Sequence, residues 1–251
     1  MHPLNVFFDK IYVISIPRNK ERIESFLSRT KGIDIEIFDG IDGKSLYPQI
    51  KYVKDFPEVF FKEFNISFAR ASLWNKGQLG CALSNLNIQK LIIEKKIGKT
   101  LILEDDALII ENRLKSFEDA LYELPSNWEL FYLGYNNISK WSGNFFARAL
   151  LRIKYRAKPI SIEGNFSDQS GKMFWPKTFS SSLYTPGVYF GTHAYALTLG
   201  GAEKIVDIDT PLKYGFDTTL LHVCYHKLIN AYALKKPLFI PQPGLTTTLI
   251  N

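Results

Sequence analysis

Cysteine is scarce in this 251-residue chain, which carries only Cys81 and Cys224. Two cysteines supply neither a disulfide framework nor the paired spacing of a zinc site. Cys81 falls within an apolar helical pattern, as a small core residue would, and a reducing compartment is the default expectation. Long hydrophobic runs are also missing: no window reaches the roughly 18 uninterrupted apolar residues that a membrane-crossing helix needs. Residues 1–10 lack a basic start followed by a long apolar stretch, so no signal peptide is expected. Internal repeats and low-complexity segments are absent. A soluble or peripherally attached protein is the expectation.

Aromatic residues, in contrast, are plentiful, with 19 Phe and 13 Tyr, and hydrophobic residues make up 46% of the chain. That content can bury a substantial core and argues against disorder. The net charge of +6 favours an anionic partner, such as a nucleotide, a phosphorylated glycan, nucleic acid or a membrane surface.

Patterning gives an alternation of strands and helices. A strand over 10–16 is broken by Pro17, and Asn19 can cap a helix over 20–31. A second strand covers 34–38 and runs into the glycine-punctuated turn Asp39-Gly40-Ile41-Asp42-Gly43. Residues 48–75 look like an irregular, partly helical insertion rich in Phe. Residues 77–96 form an amphipathic helix with Leu79, Leu83, Leu86, Ile88, Leu91 and Ile92 on its buried side. A strand from Thr100, a helix over 113–124 and a strand over 130–133 follow. The stretch 134–186 is basic and aromatic. Short strands over 188–190 and 193–197, helices over 201–206 and 216–228, an extended 231–234 and an irregular tail complete the pattern. The expected class is α/β with a mostly parallel sheet.

The most informative segment is Leu101-Ile102-Leu103-Glu104-Asp105-Asp106-Ala107, three acids at the exit of a buried strand. On an extended backbone Glu104 and Asp106 share a face and Asp105 takes the other. Two carboxylates about 4 Å apart repel by about 4 kcal/mol at an effective dielectric of about 20. A divalent cation removes that repulsion, and hard oxygen donors suit magnesium or manganese. An acidic hairpin turn is the alternative. Just upstream, Gly77-Gln78-Leu79-Gly80-Cys81-Ala82-Leu83-Ser84-Asn85 opens the long helix, where free amides and glycines admit a phosphate or a sugar hydroxyl. His222 and His226, four apart on a predicted helix, are candidates for a further metal donor or are ordinary surface or core histidines.

Four blocks together resemble bacterial glycosyltransferase family 25, the lipopolysaccharide and lipooligosaccharide sugar transferases. They are Ile11-Tyr12-Val13-Ile14-Ser15-Ile16 with Arg18 and Arg22, running on to Asp39-Gly40-Ile41-Asp42-Gly43; the glycine-led helix start with Gln78, Gly80 and Ser84; the acidic strand end; and Gly191-Thr192-His193-Ala194-Tyr195-Ala196-Leu197, followed by Asp217. Two departures stand out. Asn85 follows Ser84 where the family usually has His, and Ser15-Ile16 stands where an Asn-Leu pair is common.

The resemblance implies one glycosyltransferase domain over 1–251, with a GT-A-like, Rossmann-type nucleotide-sugar fold. Residues 1–133 would bind the nucleotide sugar, 134–186 would be an acceptor or membrane region, and 187–251 the acceptor-side half. It implies a UDP-sugar donor, UDP-galactose or UDP-glucose, and inverting transfer to a glycan or glycolipid. Mn²⁺ or Mg²⁺ would sit on Glu104, Asp106 and His222. Arg18, Arg22, Asp39, Asp42, Gln78, Gly80, Ser84 and Asp105 would bind the donor. Asp217 would serve as catalytic base, with Asp209 as fallback; capping the helix that follows is the other role open to Asp217. The basic amphipathic stretch 140–158 suits an anionic membrane face, a phosphorylated glycolipid or packing as a surface helix, and no nucleic-acid motif accompanies it. A cytoplasmic location, peripheral on the inner membrane face, is the corresponding expectation. A metal-dependent phosphoryl hydrolase and a catalytically impaired nucleotide-sugar- or glycan-binding protein are the rival functions.

Overall fold

The computed structural model describes residues 1–137, 160–162, 166–168, 176–187 and 189–243. The basic stretch 140–158 lies outside the described residues. A short helix α1 (Pro3–Phe7) leads into β1 (Lys10–Ser15), α2 (Lys20–Arg29) and β2 (Ile35–Asp39). Two small helices, α3 (Glu58–Glu63) and α4 (Phe68–Ala71), precede the long α5 (Lys76–Glu94) and β3 (Lys99–Glu104). Next come β4 (Ala107–Ile109), α6 (Leu114–Glu123), β5 (Leu130–Asn137), β6 (Ile160–Ile162), β7 (Phe166–Asp168), β8 (Lys177–Thr178) and β9 (Leu183–Thr185). The chain continues through β10 (Tyr189–Thr198), α7 (Leu199–Ile208), α8 (Phe216–Tyr225), β11 (Ala231–Leu234) and β12 (Phe239–Pro241).

Eight strands form the central sheet in the order β2-β1-β3-β10-β5-β11-β9-β8. β2 and β3 both run parallel to β1, and β11 runs parallel to β5. β10 is antiparallel to both its neighbours, as is β9. All the other strands therefore share one direction, as the alternating sequence pattern anticipates.

Strand periodicity sorts the apolar residues onto two faces. Ile11, Val13, Leu101, Leu103, Phe131 and Ala196 join Phe26 of α2 and Phe117 of α6 in one core layer. Tyr12, Ile102, Tyr132 and Tyr195 join Ile88 of α5, Ile205 of α7 and Leu220 of α8 in the other. Burial on both faces is why β1 and β3 read as continuous apolar runs rather than alternating ones.

Several boundaries differ from the sequence expectation. Residues 189–190 and 193–197 belong to one continuous strand, β10, whose pairing with β5 shifts register between Phe190 and Ala194, and residue 188 lies outside the described residues. The insertion at 48–75 has its own packed core: Phe56, Phe60, Phe61 and Trp74 lie against Leu79, Leu83 and Leu86 of α5. Its aromatic edge-to-face contacts explain the concentration of Phe there. The tail is not wholly irregular, because β12 pairs antiparallel with β4.

One close approach fixes where the β2–α3 loop lies. A Cβ on Gly43 would fall 1.6 Å from the Lys76 carbonyl oxygen, and one on Gly80 would fall 2.5 Å from that of Ile41. The loop backbone rests directly on the first turns of α5, and no side chain larger than hydrogen fits between them. Ser84 locks the contact: its Oγ accepts from the Ile41 amide at 2.7 Å and donates to the Gly80 carbonyl at 2.6 Å. We expect Gly80→Ala to lower unfolding free energy by about 1–3 kcal/mol through overpacking, measured by urea denaturation. Gly200→Ala, where a Cβ meets nothing within 4 Å, is the control and should not destabilise.

Candidate active site

The parallel register pairs Ile14 with Glu104, so the ends of β1 and β3 open side by side. Ligands gather at carboxyl strand ends in sheets of this kind. A cavity of about 200 Å³ lies there, with the acids Glu104, Asp105 and Asp106 on one side and Asp217 among its other lining residues.

The three acids do not alternate between faces. β3 ends at Glu104, and the chain turns at Asp105 and Asp106 before β4 begins. That turn swings both aspartates onto Arg22 of α2. Its Nε lies 2.6 Å from Asp105 Oδ1, and its Nη2 lies 3.0 Å from Asp106 Oδ2. Asp105 Oδ2 accepts from Ser15 Oγ at 2.7 Å and from Asn19 Nδ2 at 3.5 Å. Asn19 thus stands at the α2 N-cap without a side-chain capping bond, while its amide group donates to the acid turn.

Burial raises the Asp105 carboxyl above the usual carboxylate range, while Arg22 and Ser15 pull it back. Glu104 is pushed well above that range by burial and by the neighbouring charges of Asp106, Asp217 and Asp105. Asp106 Oδ1 is buried and has no hydrogen-bond partner among the described residues.

Asp217, which also lines the cavity, is the second residue of α8. Gly215 occupies the N-cap, so Asp217 is not the cap. Its Oδ2 instead accepts from the Gly191 amide at 2.8 Å. Gly191 has φ +59°, and a Cβ there would meet Asn136 Nδ2 at 2.4 Å. The β10 irregularity therefore aims an amide at Asp217 in a conformation that favours glycine.

The other sequence-predicted residues divide into two groups. Arg18 and Asp42 both line the cavity and pair with each other at 3.2 Å. Ser84 lines it too, although its hydroxyl is engaged by the Ile41 loop. The remaining candidates serve elsewhere. Asp39 is exposed at the end of β2, outside the lining. Gln78 is also exposed and forms a capping box with Asn75, so it closes the start of α5. Gly80 lies beneath the Ile41–Gly43 backbone.

His222 is not brought to the acids: its ring stacks on Tyr214 at 5.4 Å and meets His226 at 4.6 Å. Asp209 is buried behind the site, accepting from Thr219 Oγ1 at 2.6 Å and from the Lys213 amide at 3.2 Å. Burial lifts its carboxyl to about 6. It supports α8 rather than the cavity.

Cys81, Asn85 and His193 are among the lining residues that the sequence-predicted site left out. Cys81, expected in the core, faces the cavity, where burial and Glu104 push its thiol up. Asn85 accepts from Tyr195 Oη at 2.7 Å and donates to the Cys81 carbonyl at 3.0 Å, which spends much of its amide on the fold. His193 is 2% exposed, and burial holds its imidazole below the usual histidine range even though Asp106 acts to raise it. An ionisable residue two positions after a glycine in an otherwise apolar strand was the available signal.

The donor set fits a divalent cation of limited demand. No group of three or more His, Cys, Asp and Glu suited to a metal occurs among the described residues. Magnesium, however, is held by one or two carboxylates, with water and substrate phosphates completing its shell. Glu104 and the unpartnered Asp106 Oδ1 provide that number of carboxylates in one cavity.

The family model described as "Glycosyltransferase family 25 (LPS biosynthesis protein)" matches residues 8–220. The chain is 27% identical over 210 residues to procollagen galactosyltransferase 2 of Homo sapiens, covering 82% of this chain and 28% of that protein. It is 25% identical over 205 residues to inactive glycosyltransferase 25 family member 3 of Mus musculus, covering 79% of this chain and 29% of that protein. It therefore spans less than a third of the length of these curated relatives. Among solved structures, a glycosyltransferase involved in glycosylating the major capsid of PBCV-1 aligns over 94% of this chain and 93% of its own, with TM-score 0.40 and 9% identity. With a family match that runs from the start of β1 to the middle of α8, the chain belongs to glycosyltransferase family 25.

Proposed function

We propose that this protein transfers a hexose, galactose first and glucose next, from a UDP-sugar to a glycan acceptor of the lipooligosaccharide or lipopolysaccharide type, with inversion at the transferred carbon. The observation that carries this is the convergence of the acid turn and Asp217 on one cavity at the strand ends. Support for galactose comes from the procollagen galactosyltransferases among the relatives, and for the acceptor from the description of the family. A location at the inner face of the cytoplasmic membrane would suit such an acceptor.

Transfer breaks the bond between sugar and diphosphate and leaves negative charge on the departing UDP. Arg18, half-exposed at the cavity, and Arg22, beside the acid turn, supply positive charge for that group. Glu104 and Asp106 would hold a magnesium or manganese ion, which when bound contributes Lewis-acid stabilisation of the diphosphate. Asp217 is the base: held at the cavity by the Gly191 amide, its carboxylate takes the proton of the acceptor hydroxyl as the new glycosidic bond forms. Cys81 and Asn85 line the same cavity.

A second function has one observation in its favour. Relatives of comparable identity include inactive family members, which fits a protein that binds a nucleotide sugar without turning it over.

UDP-galactose with Mn²⁺ is expected to raise the melting temperature in proportion to the logarithm of ligand concentration, and a UDP-sugar screen by thermal shift checks this. Asp106→Asn should abolish metal-dependent transfer while leaving the circular-dichroism spectrum unchanged; full activity in that variant removes the cation from the chemistry. Asp217→Asn should lower turnover by about 10²-fold or more while donor affinity by calorimetry stays at the wild-type value. Equal loss of both would make Asp217 a structural residue. Donor binding with no transfer to any acceptor would favour the second function.

A further inference from the structure

The last described strand, β12, lies beyond the family match, which ends at residue 220, yet its Pro241 lines the cavity. It pairs with β4, with Pro241 opposite Ala107 and Phe239 opposite Ile109. Just past it, the Gln242 amide donates to the Asp106 carbonyl at 2.8 Å. The backbone of the acid turn is therefore held by β12.

His193 reaches the same strand from the opposite wall. Its Nε2 donates to the Phe239 carbonyl at 3.3 Å, and its own backbone stands two residues from Gly191 in β10. Gly191 is the residue whose amide holds Asp217. The imidazole therefore sits between the backbone that anchors Asp217 and the strand that anchors Asp106. Gly134 of β5 makes the room: a Cβ there would lie 2.8 Å from the His193 ring and 2.9 Å from the Phe239 carbonyl oxygen. The ring and the strand are thus wedged against bare backbone, and both residues are almost wholly buried. Nothing in this arrangement serves ordinary sheet pairing, since β10 and β12 belong to different sheets.

We propose that His193 is a positioning residue that, through β12, ties the Asp217 wall of the cavity to the Asp106 wall and keeps the two carboxylates at one separation. Its catalytic meaning rests on the hexose-transfer function above, whereas the mechanical link does not. Misplacing a reacting group by about 1 Å can cost about 10²-fold in rate. A strut of this kind therefore influences turnover without touching substrate.

The test is backbone amide exchange on the whole chain, read at Gly191 and Gln242, with α6 as the internal reference. His193→Phe keeps the ring's bulk and removes its donor. It should speed exchange at both amides together by at least about fivefold while α6 is unchanged, as expected for a local opening that loses one hydrogen bond. His193→Gln, which restores a donor near the Nε2 position, should return both towards wild type. Gln242→Pro deletes the other end of the link and should speed exchange at Gly191, so the coupling is still tested if His193→Phe does not fold.

In the transfer assay, His193→Phe should lower kcat by about 10–100-fold with donor KM within about threefold, the usual cost of losing an outer-shell partner. Acceleration at only one amide, a Gly191 rate unaffected by Gln242→Pro, or failure of His193→Gln to restore either amide would overturn the strut. A wild-type protein that shows no transfer would instead sink the hexose-transfer function and leave the exchange result to decide the link by itself.

Discussion

The site is organised around one guanidinium. Arg22 stands between Asp105 and Asp106, with roughly 15% of its side chain exposed. Two adjacent aspartates at the rim of an apolar sheet cannot be buried without a counter-charge, because isolated ions leave water at large cost. The cation comes from α2, and the hydrogen bonds that complete Asp105 come from Ser15 at the end of β1 and Asn19 before α2. Strand, cap and helix of the first unit therefore close on the end of β3. Removing one partner from such a buried pair typically costs about 3–5 kcal/mol, since the other charge is left stranded.

From this anchor the division of labour among the acids follows. Asp105 spends both oxygens on the fold, and Asp106 gives one oxygen to Arg22 while the other has no hydrogen-bond partner among the described residues. Glu104, the last residue of β3, faces the cavity with its carboxyl raised by burial and by its acidic neighbours. Three residues that look equivalent as letters hold three different positions because the backbone turns after the first of them. The opposing wall is built from different parts: a glycine in a left-handed conformation at Gly191, and α8 entering so that its first turn carries Asp217.

Much of the framework was legible in the order of residues. The apolar runs of β1 and β3, the break at Pro17 before α2, the apolar face of α5 and the early strand–helix–strand unit were each signalled by local chemistry. Other parts were not. β12 is three residues long, and its pairing with β4 depends on a partner about 130 positions away. The Phe-rich insertion looked irregular because its order comes from ring-to-ring packing on α5, which has no sequence period. Gln78 and Gly80 matched a ligand-binding motif in type and spacing, yet one closes a helix end and the other admits a loop backbone. His222 had helical spacing to His226 but stacks on Tyr214, away from the carboxylates.

Residue order by itself determined the class of fold, the presence of three acids at a strand exit, and the likeness to a family of sugar transferases. These rest on periodicity, local propensity and short motifs, all of which act over a few neighbouring positions. Only the tertiary structure decided which acids are held by Arg22, that Cys81 faces the cavity, and that His193 of β10 reaches β12. Each of those depends on the direction a side chain takes after the backbone turns and on which distant strand arrives beside it, and distances through space carry no mark in the order of letters.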